Sequence, residues 1–232
     1  MALIIRIDVD RPYGRRPFVR HVLSRCASDL YFPRVQAFGY LVELKEMLRL
    51  LARHRARAYA FFRWCTLPSP DLVGLLDAGG HHIGLHLENS RSFATFTRER
   101  ERLARAVGRD ISVFSKHGSG GARYGRRHYA PYEPERYVAW AQRAGMKLFL
   151  GNLEDPSLEP LSGLGGFSWY PSAFWLEPHW RDTARFPMEW LHRQAVRRDI
   201  VLLVHPENVL ADPKLVAEFE RAIRDLPSAI LS

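Results

Sequence analysis

Short apolar runs, each ending in polar residues, alternate along this 232-residue chain with longer stretches whose apolar positions recur every three or four residues. The runs read as strands at Leu3 to Asp10, Arg57 to Phe62, His82 to Glu88, Ile111 to Lys116, Lys147 to Gly151 and Ile200 to His205. Between them, "GYLVELKEMLRLLARH" places Leu41, Leu44, Leu48 and Leu51 on one face of a helix. "SPDLVGLLDAGG" opens with Ser69-Pro70 and closes on Gly79-Gly80, the start and stop signals of a short helix. "FATFTRERERLARAVG", "EPERYVAWAQRAG", "PMEWLHRQAVRR" and "PKLVAEFERAIRDL" follow the same helical logic. Strands alternating with helices pair in parallel with the helices outside. The pattern therefore predicts an α/β fold, a barrel or a doubly wound sheet, in one domain over residues 1–232. Residues 152–185 break the rhythm: they are rich in Pro, Gly and Trp and have no clear period. A long active-site loop laid over one end of the sheet is expected there.

The polar residues at the strand ends carry the chemistry. In "RIDVD" the side chains alternate, so Ile5, Ile7 and Val9 point one way and Asp8 and Asp10 the other. In "HHIGLHLENS", His82, His86 and Glu88 share the face opposite Ile83, Leu85 and Leu87. "SVFSKHGSGG" ends in His117 and "IVLLVHPEN" in His205. A single such histidine is ordinarily a core or capping residue. Four strands ending this way gather at one rim, because ligands of parallel α/β folds bind at the carboxyl ends of strands. Carboxylates directly after "LIIRI" are also costly to bury unpaired.

A mixed Asp/His set with an open position suits zinc or another borderline divalent ion, which acidifies water and polarises a carbonyl. Asp10, His86 and His117 are the expected ligands. Asp8 is placed to accept the proton of the attacking water, and His205 to protonate the leaving group.

Charge changes this picture little. The net charge of +9 comes from 34 basic residues, of which only Lys45, Lys116, Lys147 and Lys214 are lysines. The arginines are scattered along helical segments and interleaved with acids, as solvated faces are, so no nucleic-acid partner is expected. An attraction to phosphate-bearing substrates fits the balance. No apolar run approaches the roughly 20 residues of a transmembrane helix. Arg6, Asp8 and Asp10 interrupt any secretory segment. Two cysteines, Cys26 and Cys65, are too few for a disulfide framework, and a cytoplasmic location is expected.

In this order, "IRIDVDRP", "RAYAFFR", "LLDAGGHHIGLHLE", "VFSKHGSGG" and "IVLLVHPEN" resemble the motifs of the polysaccharide deacetylase family (NodB homology, carbohydrate esterase family four). The resemblance spans nearly the whole chain. It implies a distorted parallel (β/α) barrel of about six to eight strands that removes N-acetyl groups from sugars with a divalent metal. One aspartate of the pair would be the base and one a ligand, His86 the first metal histidine and His205 the general acid. Two departures stand out. Val9 separates aspartates that are adjacent in the family, so base and ligand could be exchanged, and Ser90 stands where a second metal histidine is usual. His117, or else Glu88, then completes the site. The Ser-x-His-Gly and His-Pro-Glu segments look like a branch that serves bacterial O-antigen and other surface polysaccharides.

On this resemblance Arg11, Tyr13, Arg63 and Glu88, with Trp169, Tyr170, Trp175 and Trp180, are candidate sugar or phosphate contacts. The expected substrate is an acetamido sugar on a nucleotide or lipid carrier. Two other readings share the pattern. One is a metal-dependent hydrolase of another C–N bond, such as a cyclic amide, or of a phosphoester. The other is a saccharide-binding protein without catalysis.

Overall fold

The computed structural model describes residues 1–13, 18–30 and 35–231. Its strands are β1 (Leu3–Val9), β2 (Ala58–Phe62), β3 (His82–Leu87), β4 (Val113–Lys116), β5 (Leu148–Leu153), β6 (Leu161–Ser162), β7 (Ser168–Ser172), β8 (Phe174–Trp175) and β9 (Ile200–Val204). The helices are α1 (Phe18–Leu30), α2 (Val42–Arg53), α3 (Pro70–Ala78), α4 (Phe93–Val107), α5 (Pro134–Arg143), α6 (Met188–Ala195), α7 (Pro206–Val209) and α8 (Pro213–Asp225). Every strand and helix expected from periodicity is present. Residues 152–185 are more than a loop, because they supply β6, β7 and β8. Runs of two to five residues, one of them interrupted by Pro171, give no readable alternation. Helix α1 also escapes the pattern, because Ser24 and Ala27 face inward while Phe18, Val19 and Val22 face out.

The sheet order is β6-β7-β5-β4-β3-β2-β1-β9-β8, all parallel except the β6–β7 pair. Among the described residues the strands, counted separately, number nine, but β7 and β8 are one bent segment around Ala173. Its first half pairs with β5 and its second half with β9, the opposite edge. Ala173 N–H donates to Leu153 O at 3.0 Å, and Leu176 N–H to Leu203 O at 3.0 Å. The sheet thus curls until both edges meet on one segment, giving the distorted barrel.

The curl creates two apolar layers. Outside, Ile5, Ile7 and Val9 pack with α2 residues such as Leu44 and Leu51 and α8 residues such as Phe219. Inside, Ile4, Tyr59, Phe61, Val113, Leu150 and Leu203 fill the amino-terminal half of the barrel. The period-2 alternation then carries each strand from this plug to polar residues at the rim: Ile4 to Arg6 and Asp8, Val113 to Ser115, Leu203 to His205. The hydrophobic plug is what lifts the site to the carboxyl ends.

Gly84 shows how tightly the plug is packed. A β-carbon there would lie 2.3 Å from the Phe61 ring, and that ring belongs to the plug. Gly84→Val is expected to lower unfolding free energy by about 1–3 kcal/mol through overpacking. Urea denaturation would measure this, and an unchanged midpoint would contradict the packing described.

Candidate active site and metal centre

Asp8, Asp10, His86, His117 and His205 all line one cavity of about 270 Å³ at the carboxyl ends of the strands. Asp10 follows β1, His86 lies near the end of β3, His117 follows β4 and His205 follows β9. Asp10 Oδ1 lies 3.1 Å from both His86 Nε2 and His117 Nδ1, and the two nitrogens are 3.2 Å apart. These three residues form a cluster whose ligand atoms lie within 4.8 Å of one another.

The donor set fits a cation on two grounds. Asp10 Oδ1 is buried, yet no neighbouring N–H is aligned to donate to it. His86 Nδ1 lies 2.7 Å from Ser115 Oγ, its register partner on β4. A proton on Nδ1 donated to that oxygen leaves the Nε2 lone pair facing the cluster. Burial works against ionisation of Asp10, but His117 and His86 hold its carboxyl well below the usual carboxylate range. Burial and the Arg63 charge hold His117 well below the usual histidine value, so its ring is neutral and able to ligate.

Asp8 is fixed by Arg6, two residues earlier on the same face of β1. Arg6 is fully buried; its Nε donates to Asp8 Oδ1 at 2.9 Å and an Nη to Asp8 Oδ2 at 2.6 Å. The remaining donors reach across the barrel to Leu150 O, Gly151 O and Asn152 Oδ1. All five guanidinium N–H groups are thereby used. Asp8 Oδ2 also lies 3.5 Å from His86 Nε2, which brings it to the edge of the cluster.

On the opposite wall, His205 Nε2 lies 3.7 Å from Asp10 Oδ2, while its Nδ1 sits 2.9 Å from Glu177 Oε1. The same Glu177 oxygen accepts from the His205 backbone N–H and the Asn208 amide. Burial pushes the His205 imidazole down, but the Glu177 carboxylate, with Asp10 and Asp8 beyond it, raises it to about 10. Trp175 and Trp180 flank the ring, with centroids 5.9 and 5.0 Å away.

The structure separates the remaining candidates. Arg11, Arg63, Trp175 and Trp180 line the cavity, whereas Tyr13, Glu88, Trp169 and Tyr170 do not. Tyr13 is a core residue: its hydroxyl accepts from Val35 N–H and its ring packs edge-on against Tyr40. Trp169 stacks on Phe149 in the outer layer, and Tyr170 packs against the inner plug away from the mouth. β7 alternates, so neither side chain of this pair reaches the rim. Glu88 is fully buried and paired with Arg63 at 2.6 Å, which engages Arg63 as well. Arg63 also donates to Asp10 O at 3.0 Å, so it steadies the turn after β1. Ser90 points away from the cluster and donates to Tyr137 Oη at 3.1 Å.

Sequence reasoning missed Arg6, Ser115, Asn152, Glu177 and Glu207. Arg6 had a readable signal, since it alternates with Asp8 on one strand face. Glu207 lines the cavity with Arg11 at 3.6 Å, and burial together with the Asp10 carboxylate pushes it up to about 7. Glu177 lies in the aperiodic stretch, where nothing in the sequence points to His205.

No protein-family model matches the chain, and no curated protein matches it. The crystal structure of Puue allantoinase aligns with TM-score 0.58 and 14% identity, over 96% of this chain and 82% of that one. At that identity the likeness establishes the fold. A family 4 carbohydrate esterase from Streptomyces lividans, in complex with acetate, aligns with TM-score 0.48 and 13% identity, over 100% of this chain and 93% of that one. A carbohydrate esterase family 4 pseudoenzyme from Bacillus anthracis aligns with TM-score 0.49 and 10% identity, over 96% of this chain and 59% of that one.

Proposed function

We propose that this chain is a metal-dependent hydrolase that removes an N-acetyl group from an amino sugar used in bacterial surface-polysaccharide (O-antigen) synthesis in the cytoplasm. The observation that carries the reading is the meeting of Asp10, His86 and His117 in one cavity with Asp8 and His205. A divalent ion of the zinc type, held by those three residues, would acidify water and polarise the amide carbonyl.

The chain's own groups supply the rest. Arg6 holds the Asp8 carboxylate by two hydrogen bonds, so it presents a fixed acceptor for the proton of the attacking water. Glu177 keeps Nδ1 of His205 protonated and aims Nε2 into the cavity, where it delivers a proton to the departing amine. Trp175 and Trp180 give that wall an apolar surface, which suits an acetyl methyl and excludes water. His205→Ala is expected to leave metal content intact and to cut turnover roughly 100-fold or more. Loss of metal from this variant would mean that His205 is a ligand instead.

The pH dependence follows from Glu177. The folded-state value of His205 lies above the ordinary histidine value, so the donor form is complete at neutral pH and is lost as pH rises through about 10. The pair's contribution to folding is likewise fully present below the unfolded value and fades over that alkaline window. Glu177→Gln removes the charge holding the proton and is expected to move the alkaline limb of kcat/KM to lower pH. A limb that stays in place would contradict the pairing.

A second reading, hydrolysis of a cyclic amide, draws on the allantoinase name of the structure with TM-score 0.58. Product analysis separates the two: acetate released from acetamido sugars supports the first, and ring opening without acetate supports the second. A protein that never takes up stoichiometric metal would contradict both.

A further inference from the structure

Among the described residues, the buried carboxylates are those of Asp8, Glu88, Glu99, Glu177 and Glu207. All but the last receive hydrogen bonds that account for their burial. Arg6 donates twice to Asp8, Arg63 donates to Glu88, and the His205 backbone and the Asn208 amide donate to Glu177. Glu99 accepts the backbone N–H groups of Glu88 and Asn89. Glu207 is the exception. It is 7% exposed, yet no other residue hydrogen-bonds to its carboxylate. Arg11 Nε lies 3.6 Å from Oε1, beyond hydrogen-bond reach, and its own backbone N–H is the other polar group beside it. A carboxylate taken out of water without a partner is costly, so its place in the fold calls for a donor.

That donor has one place to come from, because Glu207 lines the cavity together with Arg11, Asp10 and His205. His205 caps α7 and Pro206 fixes its first turn, so both side chains enter the cavity from the carboxyl end of β9. His205 addresses the nitrogen that departs. Glu207, two residues on, meets the part of the substrate that keeps this nitrogen, which is the sugar ring. The neighbours of Glu207 select the group it meets. A carboxylate needs a donor, and the Arg11 guanidinium beside it repels an ammonium. A hydroxyl suits both, because it donates to Glu207 and accepts from Arg11. We infer that Glu207 is a specificity-determining residue, which accepts a hydrogen bond from one hydroxyl of the acetamido sugar. The site then reads the ring as well as the acetyl group, and a ring without that hydroxyl is a poor substrate. The identity of the sugar rests on the deacetylase reading. The unfilled acceptor rests on the geometry alone.

Acetate release by the zinc-loaded chain tests this with N-acetylglucosamine, N-acetylgalactosamine and N-acetylmannosamine, each beside its monodeoxy analogues. For the best parent sugar, one analogue is expected to show kcat/KM lower by roughly 10- to 100-fold, the size of a hydrogen bond to a charged group. In Glu207→Ala that analogue and its parent should differ by less than about threefold. Metal content and the circular dichroism spectrum should stay as in wild type. Glu207→Gln keeps the shape and one acceptor oxygen, and should discriminate to an intermediate degree. It decides the matter if the alanine variant does not fold. A residue that only supported the fold would lower parent and analogue by one factor, so equal discrimination in wild type and variants would overturn the inference. So would a wild type indifferent to every missing hydroxyl. Loss of metal from Glu207→Ala would also overturn it, by placing the carboxylate on the ion. Calorimetric binding of the same sugars separates this inference from the deacetylase reading. Binding that needs the hydroxyl only when Glu207 is present, with no acetate released from any sugar, would defeat that reading and leave the hydroxyl site intact. Acetate release without discrimination would do the reverse, and sugars neither bound nor hydrolysed would overturn both.

Discussion

His86→Ala is expected to abolish stoichiometric metal uptake and to reduce acetate release to that of metal-free protein. The ring supplies Nε2 to the cluster with Asp10 and His117, and two remaining side chains make a poor site for a catalytic ion. A graded control lies one bond further out. Ser115→Ala removes only the partner of Nδ1, and is expected to cost roughly 10- to 100-fold in metal affinity while leaving the site in place. Elemental analysis and titration of metal into the two variants would measure both. Equal losses in the two would show that His86 acts through its packing and not as a ligand.

Replacing Arg6 carries the largest expected effect on stability. Its guanidinium is fully buried and its five donors meet Asp8, Leu150, Gly151 and Asn152. Arg6→Met leaves the Asp8 charge and three oxygens without their partner, a loss of about 3–5 kcal/mol for a broken buried pair. Chemical denaturation would report it. Arg6→Lys keeps the charge but cannot grip a carboxylate by two parallel bonds or span the barrel. This second variant is expected to fold and bind metal, with kcat at least tenfold lower because Asp8 is no longer aimed. An Arg6→Met protein of unchanged stability and activity would contradict the role assigned to the β1 pair.

The strands and most helices were legible because each carries a period. The same alternation that put Ile5, Ile7 and Val9 on one face put Asp8 on the other, where the cavity opens. It also put His86 beside Ser115 and ended β9 on His205. What the sequence left hidden has no period. β7 and β8 act as one bent strand that closes the barrel, and only the curl of the whole sheet creates that role. Glu177 follows this segment, so its position against His205 depends on the closure and not on any local pattern. Trp169 and Tyr170 misled for a related reason: composition marked the stretch as aromatic, but the pleat of β7 turns both side chains away from the mouth. Glu88 shares the face of His86, yet Arg63 from the neighbouring strand end claims it. Helix α1 was hidden because Phe18, Val19 and Val22 are exposed while Ser24 and Ala27 are buried, the reverse of an ordinary surface helix.

The central claim is that three side chains at the carboxyl ends of β1, β3 and β4 share one divalent ion. Zinc soaked into crystals of this protein, with anomalous scattering recorded at the metal edge, tests it most directly. One strong peak enclosed by Asp10, His86 and His117 is the predicted result. A cavity without a peak, or a peak bound elsewhere while that cluster stays bare, would contradict it.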